Sequence, residues 1–250
     1  MTKIILCGCF GHMGRVITDI VSKNNTCEIV AGVDIATQND ANFKVYSDIK
    51  DVSEDADVII DFSHPSLLTP ILDFAKGKVP VVLCTTGYTA EQVKQIELAS
   101  EQTAIFYSRN MSLGINLLIE LSKKASAILG NDFDIEIIEK HHNLKVDAPS
   151  GTALMIADAI ASEREDITNY MYDRHAVRKQ RDVSEIGIHA VRGGTIVGEH
   201  EVVFAGRHEV LSISHSAQSK ELFANGAVNA GIFMSNKPAG LYDMSNMLDM

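Results

Sequence analysis

The densest run of proton-transfer and anion-binding side chains extends from Glu139 to Ala153: Glu-Lys-His-His-Asn-Leu-Lys-Val-Asp-Ala-Pro-Ser-Gly-Thr-Ala. The imidazoles of His141 and His142 can exchange protons near neutral pH. Lys145 offers either a compact positive charge for a carboxylate or a proton. Ser150, Gly151 and Thr152 open a helix-like run, where small residues leave unpaired N–H groups suited to an anion. Adjacent histidines on a strand face opposite sides, so both reach one ligand only if the chain turns there. Local chemistry alone fits equally well with exposed histidines before an ordinary helix cap. Arg192, ahead of Gly193-Gly194, is either a solvent-facing hairpin residue or a second carboxylate clamp.

A second set of residues lies near the N-terminus. Gly8-Cys9-Phe10-Gly11-His12-Met13-Gly14 has the pattern G-x-x-G-x-x-G between a strand-like run and a helix-like run. Glycines there let the backbone approach a pyrophosphate, whose charge then sits at a helix N-terminus. Asp34 ends the next strand-like run, where a carboxylate would accept hydrogen bonds from an adenosine ribose. Ile35, Ala36 and Thr37 follow, with no Arg or Lys beside them for a 2′-phosphate. The expected cofactor is therefore NADH or NADPH, with NADH used at least as well. Cys84-Thr85-Thr86-Gly87 and Ser108-Arg109-Asn110-Met111 end later strand-like runs. Both turns are candidates to line the nicotinamide, because ligands of open parallel sheets bind beyond the strands' carboxyl ends. A plain turn is the other reading of Thr86-Gly87.

The elements that must position these groups follow from hydrophobic periodicity. Strand-like runs at 3–7, 28–34, 57–62, 79–85 and 104–108 alternate with helix-like runs at 13–22, 66–76 and 89–102, the last opened by a Thr89…Gln92 capping box. Such alternation predicts a parallel sheet wrapped by helices. Beyond about residue 110 the pattern changes. A helix is expected over 113–129 with Leu117, Leu118, Leu121, Ala125 and Ile128 as its apolar stripe. A strand over 133–142, a helix over 150–162, a loop over 168–182 and strands over 185–191, 195–204 and 209–215 follow, then a helix over 219–234. The fold class is α/β, with a second α+β domain built on a mixed or antiparallel open sheet. The expected boundaries are 1–112 for dinucleotide binding, with 219–250 returning to it, and 113–218 for the second domain.

The 250 residues carry 22 basic and 33 acidic side chains, a net charge of −11. An acidic surface disfavours nucleic acid as a partner. No apolar run approaches the ~18–20 residues of a membrane span, and the N-terminus does not read as an export signal, so a cytoplasmic protein is expected. Cys7, Cys9, Cys27 and Cys84 then read as buried reduced thiols, and Cys7-x-Cys9 without a second cluster is too little for a metal site. Neither H-E-x-x-H nor G-x-S-x-G occurs.

In order along the whole chain, G-x-x-G-x-M-G at 8–14, T-T-G at 85–87, N-M-S-L-G-x-N at 110–116, E-x-H-H-x-x-K-x-D-A-P-S-G-T-A at 139–153, V-R-G-G-x-I-V-G-E-H at 191–200, F-A-N-G-A at 223–227 and G-L-Y-D-M at 240–244 resemble the 4-hydroxy-tetrahydrodipicolinate (dihydrodipicolinate) reductase family. The resemblance implies a Rossmann-like N-terminal domain and a second domain for substrate binding and tetramer contacts. It implies NAD(P)H-dependent reduction of a cyclic, imine-containing dicarboxylate in lysine and diaminopimelate biosynthesis. His141 then resembles the family's proton donor or acceptor, and Lys145 a proton donor or a charge that stabilises the developing carbanion. His142 resembles a carboxylate contact, and Ser150, Gly151 and Thr152 the second carboxylate's cradle, with Arg192 close by. The cofactor set would be Gly8 to Met13, Asp34, Cys84 to Thr86 and Ser108 to Met111. His12 stands where the family often has Arg, Ile35 where a basic residue can follow the acid, Cys84 where Gly is common, and Arg109 where a small residue or Pro is common. Two other functions fit parts of the pattern. An amino-acid semialdehyde dehydrogenase would need Cys84 as nucleophile, and a non-enzymatic dinucleotide sensor would not need His141, His142 and Lys145.

Overall fold

The computed structural model describes residues 1–36 and 41–248; Thr37 lies outside them. The chain begins β1 (Thr2–Cys7), α1 (His12–Ser22), β2 (Cys27–Val33), β3 (Lys44–Tyr46), β4 (Val58–Asp61), α2 (Leu68–Ala75), β5 (Val81–Leu83), α3 (Ala90–Ser100) and β6 (Ala104–Tyr107). It continues with α4 (Leu113–Leu129), β7 (Asp134–His141), α5 (Gly151–Ala161), β8 (Asn169–Met171), β9 (Glu185–Arg192), β10 (Gly198–Ala205) and β11 (Val210–Ala217). It closes with α6 (Glu221–Met234), β12 (Gly240–Tyr242) and α7 (Met244–Leu248). Two compact units result, one of residues 1–112 and 221–250, the other of 113–220.

The first unit is a seven-stranded, wholly parallel sheet in the order β12-β6-β5-β4-β1-β2-β3. Helices cover both faces of such sheets, so the central strands are near-continuous apolar runs; Ile4, Ile5, Leu6, Ile59, Ile60, Val81, Val82, Ile105 and Phe106 are fully buried. The strand order reverses between β1 and β4, which opens a crevice beyond their carboxyl ends. The expected capping box is formed: Thr89 Oγ1 accepts from Gln92 N–H while Gln92 Oε1 accepts from Thr89 N–H. α6 packs on α1, β4 and β5, and β12 extends the sheet beside β6.

The second unit is a five-stranded mixed sheet, β11-β10-β7-β9-β8. β10 runs antiparallel to β7 and β11, whereas β7, β9 and β8 run parallel. Strict alternation along β7 buries Ile135 and Ile137 and carries Glu139 and His141 inward on the same face. In β10 the inward row is Gly198, His200, Val202 and Phe204. Both rows change from apolar to polar at the same end of the sheet, so the core gives way to a polar site there.

Several elements differ from expectation. The stretch 168–182 contains β8, and β3, β12 and α7 are too short for periodicity to show. β10 starts at Gly198 rather than Thr195, because the turn at Gly193-Gly194 runs longer. α4 buries Ile115, Leu118, Ile119, Ser122 and Ser126, and leaves Leu117, Leu121 and Ile128 exposed. The helix is thus apolar on two opposite faces, and the serine-bearing one packs on α5 and β11. Small side chains allow that close approach, which an apolar count cannot see. No described helix is long and apolar enough to cross a membrane.

Candidate active site

The glycine loop is the candidate cofactor site of the first unit. Gly8 has φ +76°, and a Cβ there would lie 2.5 Å from the Phe62 carbonyl oxygen; a Cβ on Gly14 would lie 2.2 Å from the Gly8 oxygen. Side chains at either position would collide with the backbone, so the loop can close tightly over the start of α1 only with glycine there. Asp34 Oδ2 accepts from Phe10 N–H at 2.9 Å, and Oδ1 accepts from Ala36 N–H at 3.0 Å. The carboxylate thereby fixes the loop against the end of β2. A cleft of about 670 Å³ is lined in part by Gly8, Phe10, Gly11, Asp34, Phe62 and His64. The cleft lies beyond the carboxyl ends of β1, β2 and β4, where ligands of open parallel sheets bind. Ile35 is exposed in its wall, and Arg15 directs Nε at the Phe10 carbonyl.

The predicted cofactor residues divide by orientation. Gly8, Phe10, Gly11 and Asp34 line the cleft. His12 is exposed at the start of α1, and Met13 is half-buried. Cys9 is buried, its sulfur packed against Gly32, and burial pushes its pKa up to about 11. Only the backbone of Cys9 is therefore available to a ligand. Cys84 is also buried, and burial followed by the nearby Asp61 charge pushes its thiol pKa well up. This opposes the nucleophile needed by a semialdehyde dehydrogenase. Thr86 and Arg109 are exposed. Ser108 Oγ donates to the Asn110 carbonyl, and Asn110 Oδ1 accepts from Ser112 N–H. Met111 is buried against Gly226 of α6.

Sequence reasoning missed Asp61. Fully buried at the end of β4, it accepts from Ser63 N–H and Oγ, from Thr85 Oγ1 at 2.7 Å and from Tyr88 at 3.2 Å. Burial raises its pKa despite these donors. It ties the loops after β4 and β5 together. Its signal was an acid closing an otherwise apolar run.

The candidate substrate site of the second unit is built around Glu139, which has no solvent exposure. Arg192 grips it with two terminal nitrogens, each 2.7 Å from a different oxygen. His141 Nδ1 lies 2.7 Å from Oε2, and Ser150 N–H donates to Oε1 at 2.9 Å. Burial alone would raise the Glu139 pKa, but the bonds from Arg192, His141 and Ser150 outweigh it and hold the carboxyl below its usual range. Ser150 caps α5, its Oγ accepting from Ala153 N–H and lying 3.1 Å from His200 Nε2. His200 stands edge-on to His141, with ring centroids 5.2 Å apart. Burial, followed by the His141 charge, lowers the His200 pKa to about 4.

The chain turns after His141, where β7 ends. Gly193 N–H donates to the His141 carbonyl, Asn143 N–H to Gly194, and Lys145 N–H to the His142 carbonyl. His142 is half-buried, with no partner for its buried Nδ1. Lys145 Nζ lies 2.8 Å from Asp147, whose pKa it lowers by hydrogen bonding. Gly151 is exposed and Thr152 half-buried at the start of α5. The Gly151 N–H donates to the Asp147 carboxylate, the Ser150 N–H to Glu139 and the Ala153 N–H to Ser150 Oγ, so this helix end already holds acceptors of the chain itself. The expectation for Arg192 needs correcting. Both its terminal nitrogens are committed to Glu139, and one also donates to the Asp147 carbonyl, so it is not set as a free carboxylate clamp. Sequence reasoning gave Glu139 no role; its signal was its place two before His141 on an alternating strand. His200 left no such signal, because only the register pairs it with Glu139.

Comparison with known proteins places the chain among relatives. The family model "Dihydrodipicolinate reductase, N-terminus" matches residues 2–111, and "Dihydrodipicolinate reductase, C-terminus" matches 114–248. The 4-hydroxy-tetrahydrodipicolinate reductase of Caldanaerobacter subterraneus subsp. tengcongensis is 53% identical over 99% of this chain and 98% of its own. That of Staphylococcus aureus is 43% identical over 98% and 100%. The solved dipicolinate-bound dihydrodipicolinate reductase from Paenisporosarcina sp. TG-14 superposes with a TM-score of 0.82 at 26% identity, covering 99% of both chains. A myo-inositol dehydrogenase from Corynebacterium glutamicum shares the fold alone, with a TM-score of 0.60 at 14% identity over 96% and 90%.

Proposed function

Because the chain belongs to the dihydrodipicolinate reductase family, we propose that its activity, NAD(P)H-dependent reduction of 4-hydroxy-tetrahydrodipicolinate to tetrahydrodipicolinate with loss of water, is carried by His141 and Lys145. The activity serves lysine and diaminopimelate synthesis. The observation that carries the residue assignment is the turn directly after β7, which ends the strand between the two histidines and brings Lys145 N–H to the His142 carbonyl. The relative from Paenisporosarcina binds dipicolinate, a flat dicarboxylate, which supports a substrate held by two carboxylates. His142 and the segment Ser150, Gly151 and Thr152 at the start of α5 bind those carboxylates. Residues 1–112 bind the cofactor, with Gly8 to Met13, Asp34, Thr85, Thr86 and Ser108 to Met111 around it.

When bound, NAD(P)H would supply the hydride for reduction of the conjugated ring left by water loss. His141 or Lys145 delivers the proton to the ring carbon beside the one reduced, and the Lys145 ammonium stabilises negative charge as it develops there. Fixing both carboxylates orients the ring before reaction, which can supply several kcal/mol. Asp34 accepts the ribose hydroxyls and repels a 2′-phosphate. With Ile35 and Ala36 beside it, NADH is used at least as well as NADPH. A cytoplasmic homotetramer is the assembly we infer, supported by the exposed Leu117, Leu121 and Ile128 on α4 and Val210 and Leu211 on β11; light scattering after gel filtration reads its mass. The activity test is oxidation of NADH and of NADPH with substrate formed in place by a synthase from pyruvate and aspartate semialdehyde. Oxidation dependent on the synthase, with NADH at least equal, supports the reading. No oxidation from folded, dinucleotide-binding protein sinks it in favour of a sensor.

A further inference from the structure

We propose that Glu139 and Arg192 are positioning residues. The Arg192-clamped carboxylate of Glu139 fixes His141 in the tautomer that carries its hydrogen on Nδ1, so that Nε2 alone exchanges protons. The proposal rests on the reading of His141 as an acid–base group and adds to it the atom that acts and the device that selects the atom.

The argument is one of donors and acceptors. Glu139 and His141 are two apart on β7 and face the same way. Arg192 is the register partner of His141 on the parallel strand β9, so its side chain reaches across the strand end. Around the carboxylate stand two guanidinium N–H groups and the Ser150 N–H, all donors with nothing to accept a proton. Glu139 is therefore ionised, and an ionised carboxylate only accepts. The nitrogen 2.7 Å from Oε2 must then be the donor, which places the hydrogen on Nδ1 in neutral His141. Nε2 is left with a lone pair when neutral and a transferable proton when charged.

The other side of the ring agrees. Nε2 lies where a Cβ on Gly198 would stand only 3.1 Å away, so Gly198 leaves the ring room that a larger residue would take. His200 meets the ring edge-on, and the Gly193 N–H anchors the His141 carbonyl. The same carboxylate holds the Ser150 N–H, so one buried group ties the imidazole to the start of α5, where the carboxylate cradle is placed. Loss of an orienting carboxylate that leaves the wrong tautomer costs catalysis up to about 10⁴-fold in a well-studied triad.

The test uses the full chain with nitrogen-15 histidine and a two-bond nitrogen–proton correlation spectrum; His141→Gln identifies the His141 signals. The proposal expects the Nδ1–H pattern at neutral pH in the unsubstituted protein. It also expects Glu139→Gln to move His141 towards the Nε2–H form, because the amide cannot accept on both sides. In the same variant kcat falls about 10²–10⁴-fold with KM little changed. Arg192→Lys, which keeps a charge but loses the fork, falls between the two. A free carboxylate clamp at Arg192 would instead raise KM with kcat kept. The Nε2–H pattern at His141, its signals assigned sequentially in the unsubstituted protein, overturns the proposal even if every variant fails to fold, as does a folded Glu139→Gln enzyme with undiminished kcat. If His141→Gln itself retains full turnover, the acid–base reading of His141 fails, and the spectrum of the unsubstituted protein still decides the tautomer.

Discussion

Buried His200 makes the second unit sensitive to acid in a way that can be worked out from its surroundings. It faces Glu139 and His141 of β7, Ser150 at the start of α5 and His215 of β11, and is only 4% exposed. Its pKa is lowered from 6.5 to about 4 by burial first and by the His141 charge second, with Glu139 acting weakly the other way. The folded pKa is depressed, so the unfolded chain binds the proton more readily between these values. Stability is complete above about pH 6.5 and is lost as pH falls towards 4. At about 1.4 kcal/mol per pH unit the loss is about 3 kcal/mol. Urea denaturation of the unsubstituted protein and of His200→Gln, followed by circular dichroism from pH 7 to pH 4, isolates this contribution. Carboxylates such as Glu139 and Glu136, held below their usual range, destabilise both proteins alike in acid. The variant starts less stable at pH 7, because Ser150 loses its imidazole partner, and its curve falls less steeply. Parallel curves would refute the claim that His200 is buried neutral.

Gly8→Ala places a Cβ 2.5 Å from the Phe62 carbonyl at φ +76°, so calorimetry should show dinucleotide affinity weakened at least about tenfold. Asp34→Ser removes the charge that opposes a 2′-phosphate and should raise kcat/KM with NADPH relative to NADH; an unchanged ratio would remove Asp34 from the ribose site. Cys84→Ala should keep synthase-dependent turnover, because the thiol is buried and its pKa raised; loss of turnover with the fold intact would restore the nucleophile reading.

The alternation of strands and helices up to residue 108 was legible because buried parallel strands are uninterrupted apolar runs, and Thr89 and Gln92 marked a cap that is formed. The two apolar faces of α4 were not separable, since hydrophobicity does not say which face finds a partner. At the site, His141, Lys145 and the start of α5 are neighbours in sequence, and so was their chemistry. The roles of Arg192 and His200 depended on strand register, β9 beside β7 and β10 beside β7, which joins residues more than 50 positions apart. A single sequence carries no local trace of such pairings. Arg192 therefore read as a clamp for substrate, when its partner is a buried glutamate of the same sheet.

The most direct test of the central claim is synthase-dependent NADH oxidation by the unsubstituted protein, His141→Ala and Lys145→Ala, each shown folded and able to bind NADH. The account predicts rapid oxidation by the first and turnover lower by about 10²–10⁴ in the other two, the range for loss of a positioned acid or base. Undiminished turnover in both variants would contradict it.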